Sequence, residues 1–535
     1  MERHFVTAGG LQVHYARAGR GAPIVLLHAS PGDHRPLRGL AGELARRFTV
    51  YALDTPGHGG SDRLPVADPD MTDYAAALGR TLDALGLDRV HLYGTHTGAK
   101  IALTFAVGHP GRVASLVLDG LGVSTPEERA DQLANYLPPV RPRGDGAHLV
   151  SAWHQVRNMY LYWPWYREEP AARLPAAAMP SPERLHEVTT GLLEAGDAYP
   201  LAYRAAFICD PVPLLARLTV PTLILASPDD PLHAHLSRIP TTRSRTEPSG
   251  GDPARLAVLV GEHAAVRSGG MTEPPGSPAP SVTGTPARRY VPARTGASLV
   301  RWAAPPSGAR PLVVLPPAPA SGRAVRRLLE GAAASRPVVA VDLPGTGDSE
   351  PRHPFTTDLD ELAGAVVDVL DGLGLNTVDL YGGGAGAVIA AAVAARHPDR
   401  VHALALAAPP DPRVVTPDLA ARRTPGLVPD DHGVHLLRAW HLVRDGALRA
   451  AARVFDPDDL HMRVLDIVKA WPCYGTAFRA ALGGPWPAEL RTPVVVADPP
   501  GDPFLASGET ASPPFHHDGR GGAARLLAAL DELTV

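Results

Sequence analysis

The residue best placed to do chemistry is a histidine. In Tyr93-Gly94-Thr95-His96-Thr97-Gly98-Ala99 glycines flank His96 at the spacing of a nucleophile elbow. Such an elbow is a sharp strand-to-helix turn that lifts one side chain into a pocket, and its glycines permit the crowded backbone. The usual serine is missing, so an acyl-serine mechanism is not expected. An imidazole in that place accepts or donates a proton instead. The positive end of the helix dipole disfavours the imidazolium form, so a neutral ring near neutral pH is the expectation. The long side chain also reaches towards Asp230 in Pro228-Asp229-Asp230-Pro231, which makes a two-residue acid-base pair. The bland reading is that His96 fills space in a dead site.

The same frame recurs as Tyr381-Gly382-Gly383-Gly384-Ala385-Gly386-Ala387, with glycine where His96 stands. A shift of 288 positions aligns Leu11 with Leu299, Asp54 with Asp342, Tyr93 with Tyr381 and His109-Pro110 with His397-Pro398. Beyond that the offset shortens, but Trp153-His154 still matches Trp440-His441, Leu185-His186 matches Leu460-His461, and Arg204-Ala205-Ala206 matches Arg479-Ala480-Ala481. Self-similarity of that extent is a duplicated and fused domain. The expected division is an N-terminal domain over 1–266, a flexible Gly/Pro/Ser/Thr-rich linker over 267–287 and a C-terminal pseudo-domain over 288–535. Packing of the two halves on each other as a pseudo-dimer is part of that expectation.

Elements that position these residues alternate in kind. Pro23 to Leu27, Phe48 to Leu53, Val90 to Tyr93, Ala114 to Leu118 and Thr222 to Leu225 read as buried strands. Tyr74 to Leu85 and Ala99 to Val107 read as helices between them. The fold class is therefore α/β, two tandem doubly wound sheets with ligands at the carboxyl ends of the strands.

With these motifs in order, each half resembles the α/β-hydrolase family over nearly the whole chain apart from the linker. His28-Ala29-Ser30-Pro31-Gly32 is similar to the family's oxyanion loop, and Asp54-Thr55-Pro56-Gly57-His58-Gly59-Gly60-Ser61-Asp62 to its Asp-x-x-Gly-x-Gly-x-Ser turn. Asp230 stands where the triad acid is expected. The resemblance thus implies catalytic roles for His96, Asp230 and His28. The departures are equally specific. Thr246 to Asp252, where the triad histidine belongs, has no histidine, and His263 reads as structural. The second half keeps Asp502 with His516 or His517, but pairs them with Gly384 and Pro316-Pro317-Ala318-Pro319. Neither half has a complete triad.

A helical cap is expected over about 125–212, rich in aromatic residues although the chain is only 5% aromatic. Thr97 of the elbow, with Trp153, His154, Arg157, Trp163, Trp165, His186 and Arg204 of the cap, are the candidate substrate-binding residues, arginine being suited to a carboxylate or enolate. Most of the aromatics, taken singly, read more simply as packing. Ser30 is a remote candidate nucleophile and His58 belongs to the turn. No HExxH or paired-ligand spacing points to a metal, and no cofactor is expected.

Composition narrows the function further. A formal net charge of -4 gives no reason to invoke nucleic acid or an anionic membrane. Two cysteines, Cys209 and Cys473, rule out a disulfide framework and fit a reducing, cytoplasmic setting. The N-terminus has no signal-like apolar run, and the Ala, Arg, Pro and Gly bias fits a GC-rich bacterial genome. Three function classes stay open: acid-base catalysis on a small, partly apolar molecule as a lyase, cyclase, isomerase or water-mediated hydrolase; hydrolysis of an ester, lactone or amide; and a non-catalytic binder or scaffold.

Overall fold

In the computed structural model, residues 1–174, 178–240, 244–249, 252–276, 287–303, 308–350, 358–411, 414–449, 456–483, 486–487 and 489–497 are described. Contacts divide the chain into two compact units, one of residues 1–141 with 151–280, the other of 142–150 with 281–535.

The first unit is built on eight strands: β1 (Glu2–Ala8), β2 (Leu11–Ala18), β3 (Pro23–Leu27), β4 (Thr49–Leu53), β5 (Val90–Thr95), β6 (Val113–Asp119), β7 (Thr222–Ala226) and β8 (Arg245–Pro248). Their order across the sheet is β1-β2-β4-β3-β5-β6-β7-β8. The first two are joined as an antiparallel hairpin, and everything from β4 to β8 runs parallel. Every residue of β3 is buried, because helices cover both faces of the sheet. Alternation sorts its side chains: Val25 and Leu27 enter a core with Leu78, Leu82, Ile101 and Phe105. Ile24 and Leu26 enter the other, with Leu40, Leu44, Phe48 and Val260. The expected strands and helices are all present. The elbow helix runs Thr97–Gly108, and the helix before β5 runs Met71–Ala84 behind an Asp70–Asp73 capping box.

Between β6 and β7 the chain leaves the sheet and forms the cap, with helices Pro126–Asn135, Ala147–Met159, Pro182–Ala195, Tyr199–Ile208 and Pro211–Arg217. His263 lies in the last helix, Pro253–Ala265, its Nε2 3.2 Å from the Pro221 carbonyl oxygen.

The second unit repeats the plan with β9 (Ala287–Ala293), β10 (Gly296–Ala303), β11 (Leu312–Leu315), β12 (Val338–Val341), β13 (Val378–Gly383), β14 (Val401–Ala407) and β15 (Val494–Ala497). Its strand order, β9-β10-β12-β11-β13-β14-β15, matches that of the first seven strands of the first unit. Helices Val434–Arg449, Pro457–Lys469 and Thr476–Gly483 carry the cap echoes seen in the sequence. Asp502, His516, His517 and much of the expected linker lie outside the described residues. Among those described, no helix is long and apolar enough to cross a membrane.

Candidate active site

The elbow is made by backbone geometry that only a short list of residues accepts. His96 sits at φ 51°, ψ -110°, between the end of β5 and the first turn of the elbow helix. For a residue with a Cβ this is a strained conformation worth about 1–3 kcal/mol, held by its surroundings. Gly94 and Gly98 allow the turn to close: a Cβ on Gly94 would stand 2.2 Å from the Gly98 carbonyl oxygen, and one on Gly98 would stand 2.5 Å from that of Leu27. The His96 N–H donates to the Asp119 carbonyl at 2.9 Å, which pins the turn to the end of β6.

The ring of His96 meets Asp230, Nε2 to Oδ2, at 2.7 Å. Asp230 is itself fixed, since its other oxygen accepts from the Leu232 N–H at 2.7 Å. Both side chains are partly covered, 32% and 16% exposed. Burial alone would lower the His96 pKa, but the Asp230 carboxylate, helped by Asp119, outweighs it and the net shift is upward. The direction is opposite to the one the helix dipole alone would give, because the carboxylate partner decides it. Burial pushes the Asp230 carboxyl up, yet the facing imidazole brings it below its ordinary value. With Nε2 engaged by the carboxylate, Nδ1 is the ring nitrogen left for a ligand.

A small cavity of about 50 Å³ opens beside the pair, lined by His96, Thr97, Lys100, Gln132, Tyr136, Trp163, Tyr203 and Phe207 among others. Its aromatic wall is a cluster around Tyr136, whose ring centroid lies 5.2–5.7 Å from those of Trp163, Tyr203 and Phe207. Tyr203 ties the cap to the loop after β3 by donating to the Ser30 carbonyl at 2.6 Å.

Thr97 and Trp163 are thus where the sequence puts them, at the cavity, and His96 does meet Asp230. The other candidates lie elsewhere. His28 is buried away from the cavity: Nδ1 is 2.9 Å from the Ala29 carbonyl oxygen, and Nε2 accepts from the Thr55 N–H at 2.9 Å. It braces the two loops. Trp153 and His186 are buried in the cap without reaching the cavity, and Arg157 does not line it either. His154 is on the surface with Glu168, 3.0 Å away. Arg204 points outward to an exposed ion pair with Asp68. Trp165 stands one layer back, its Nε1–H donating to the Tyr136 carbonyl. Helical periodicity cannot say which face of a cap helix meets a pocket, which is why the pattern does not sort Trp153, His154, Arg157, His186 and Arg204; Trp165 lies in a turn outside those helices.

Three residues at the site escaped the sequence reading. Asp119 ends β6 and accepts from the Tyr93 hydroxyl at 2.7 Å; burial raises its pKa despite Tyr93 and His96. Gly120, at φ +64°, makes room for the pair: a Cβ there would lie 2.5 Å from His96 Cδ2 and 2.7 Å from Nε2. Lys100 lies in the first turns of the elbow helix. An acid and a glycine closing a long apolar run was the available signal for the first two.

His14, His34 and Asp54 also come together, with ligand-type atoms within 4.8 Å of one another. Asp54 accepts from both Nδ1 atoms at 2.8 Å, from the His34 N–H at 2.8 Å and from the Gly60 N–H at 2.9 Å. Four donors on one carboxylate are a sufficient account of the cluster as the brace of the Asp54 turn.

In the second unit the elbow backbone survives with glycine in place of the histidine. Gly384 adopts φ 50°, ψ -126°. Strand registers pair Thr95 with Asp119 and Gly383 with Ala407, so Ala407 replaces Asp119 and Ala408 replaces Gly120. Ala408 keeps a positive φ of 46°, which is sterically open there because Gly384 has no ring to displace.

A family profile described as the alpha/beta hydrolase fold matches residues 22–239 and 310–430. A 2-hydroxy-6-oxononadienedioate/2-hydroxy-6-oxononatrienedioate hydrolase of Pseudomonas putida is 41% identical over 117 residues, 21% of this chain and 41% of that protein. A 2-hydroxy-6-oxo-2,4-heptadienoate hydrolase, also of Pseudomonas putida, is 40% identical over 123 residues, 22% of this chain and 45% of the relative. The chain thus spans less than half the length of these curated relatives. Epoxide hydrolase A from Mycobacterium thermoresistibile is 19% identical in structure comparison, with a TM-score of 0.39 over 51% of this chain and 99% of that one. Two sheets of matching strand order and a profile that matches in both halves make this chain a member of the alpha/beta hydrolase fold family.

Proposed function

We propose that the first unit is a cofactor-independent enzyme that works on a small, partly apolar molecule by acid-base chemistry, with His96 as the proton-transferring group and Asp230 as its partner. The observation that carries this is the 2.7 Å contact between His96 Nε2 and Asp230 Oδ2 beside an aromatic-walled cavity. A decayed site has no need of a strained, carboxylate-paired imidazole, as Gly384 illustrates. A base so held transfers a proton without an acyl-serine, which suits a lyase, cyclase, isomerase or water-activating hydrolase. Since His96 titrates above its ordinary value, activity that needs the neutral ring should rise with pH through that elevated midpoint.

A second reading is hydrolysis, with His96 activating water; the named activities of the partial relatives favour it. The test uses the full chain with 2-hydroxy-6-oxo-2,4-heptadienoate, aryl esters and lactones as a panel. Wild type is expected to turn over a member, and His96→Ala to lower kcat/KM by about 100-fold or more with circular dichroism and Tm unchanged. Full activity in that variant sinks the role of His96.

A further inference from the structure

Of the 51 basic residues in this chain, two are lysines, Lys100 and Lys469, and the rest are arginines. Arginine serves wherever a permanent positive charge is enough; an amine that loses its proton needs lysine. Lys469 forms an ion pair with Asp348 in the second unit. Lys100 is different. It is buried, 6% exposed, and lines the same cavity as His96. Its Nζ donates to the Ala206 carbonyl at 2.7 Å and the Cys209 carbonyl at 2.9 Å, and among the described residues it has no carboxylate partner. A neutral amine has two N–H donors and one lone pair. Two carbonyl acceptors satisfy both donors and leave the lone pair unused. Burial pushes its pKa down to about 8. Nor does the helix require an amine here, since the second unit has the fully buried Val388 in the matching place.

We propose that Lys100 is a second reactive group of this cavity, an amine that condenses with the carbonyl carbon of a small aldehyde or ketone to form an imine. The proposal deepens the reading of the first unit as an enzyme by naming a substrate class, and it rests on that cavity being the reaction site. The nitrogen lone pair attacks the carbonyl carbon, the C=O π pair moves to oxygen, and the oxygen takes a proton. Loss of water from the resulting carbinolamine leaves C=N. The protonated imine draws electrons from the neighbouring carbon, whose proton passes to His96. Reprotonation and addition of water then reverse the condensation and free the amine.

Reductive trapping reads this without the natural substrate. The full chain is treated at pH 7.5 with formaldehyde and sodium cyanoborohydride, which delivers hydride to the iminium carbon, and modified peptides are mapped by mass. Lys100 is expected to be methylated about 10-fold or more faster than Lys469, whose amine is held in the ion pair with Asp348. Benzaldehyde, as an aromatic probe, is expected to leave a benzyl group on Lys100. Lys100→Arg, checked for fold by circular dichroism and Tm, should lose the label while Lys469 behaves as before. A lysine that merely caps the helix Tyr199–Ile208 stays unmodified while Lys469 reacts, and that result overturns the proposal. His96→Ala should still be trapped at Lys100. Failure of trapping in wild type therefore sinks the imine and leaves the His96 reading standing, whereas full turnover by His96→Ala sinks only the latter.

Discussion

One missing side chain is as informative as those present. Gly120 has no Cβ where the His96 ring passes, at 2.5 Å from the place that atom would take. Gly120→Ala must push the ring or the strand end aside, and it adds a side chain at φ +64°. The variant is expected to lose the contact with Asp230 and to lower Tm by several degrees, as about 1–3 kcal/mol of destabilisation does. A crystal structure of the variant with the 2.7 Å contact intact would contradict this account of the glycine. The second unit has already made the exchange, with Ala408 opposite Gly384. Loss of the ring and gain of the Cβ are therefore sterically linked, and each explains why the other is tolerated.

At the level of elements, the site depends on how the elbow helix is seated. Phe105, 1% exposed, fixes that helix against the one that precedes β5, with its Cε2 3.3 Å from where a Cβ on Gly79 would stand. Phe105→Ala should cost about 3–5 kcal/mol, measured by urea unfolding with m unchanged. A loss under about 1 kcal/mol would mean that the helix is held from elsewhere. Much of this level was legible in the sequence. Strand runs such as Pro23 to Leu27, the elbow glycines and the pairing of His96 with Asp230 follow from local pattern and the reach of a side chain. The cavity wall was not. Trp153 and Trp163 look alike in sequence, and only the seating of their segments puts one in the cap core and the other at the cavity. Arg204 has the chemistry to bind an anion but is spent on Asp68 at the surface.

For the whole chain, the duplication gives an internal comparison of two elbows, one with histidine and one with glycine at its tip. Both units keep the strand order and the elbow backbone, so these belong to folding. His96, Lys100, Asp119 and Gly120 become Gly384, Val388, Ala407 and Ala408, so the shared fold does not by itself require this set. The repeat was legible in the sequence because the shift of 288 positions needs no gap; the joint loss of these four appears once registers align the strand ends. The central claim is that the intact chain holds His96 against a charged Asp230. It is tested most directly by NMR titration of the ring in the full-length protein, assigned by the signal that disappears in His96→Gln. Asp230 favours the protonated ring, so the wild-type midpoint should lie above the ordinary 6.5. In Asp230→Asn, burial is opposed by Asp119 alone, and the midpoint should fall. A wild-type midpoint at or below 6.5 that Asp230→Asn leaves unmoved would contradict the pairing.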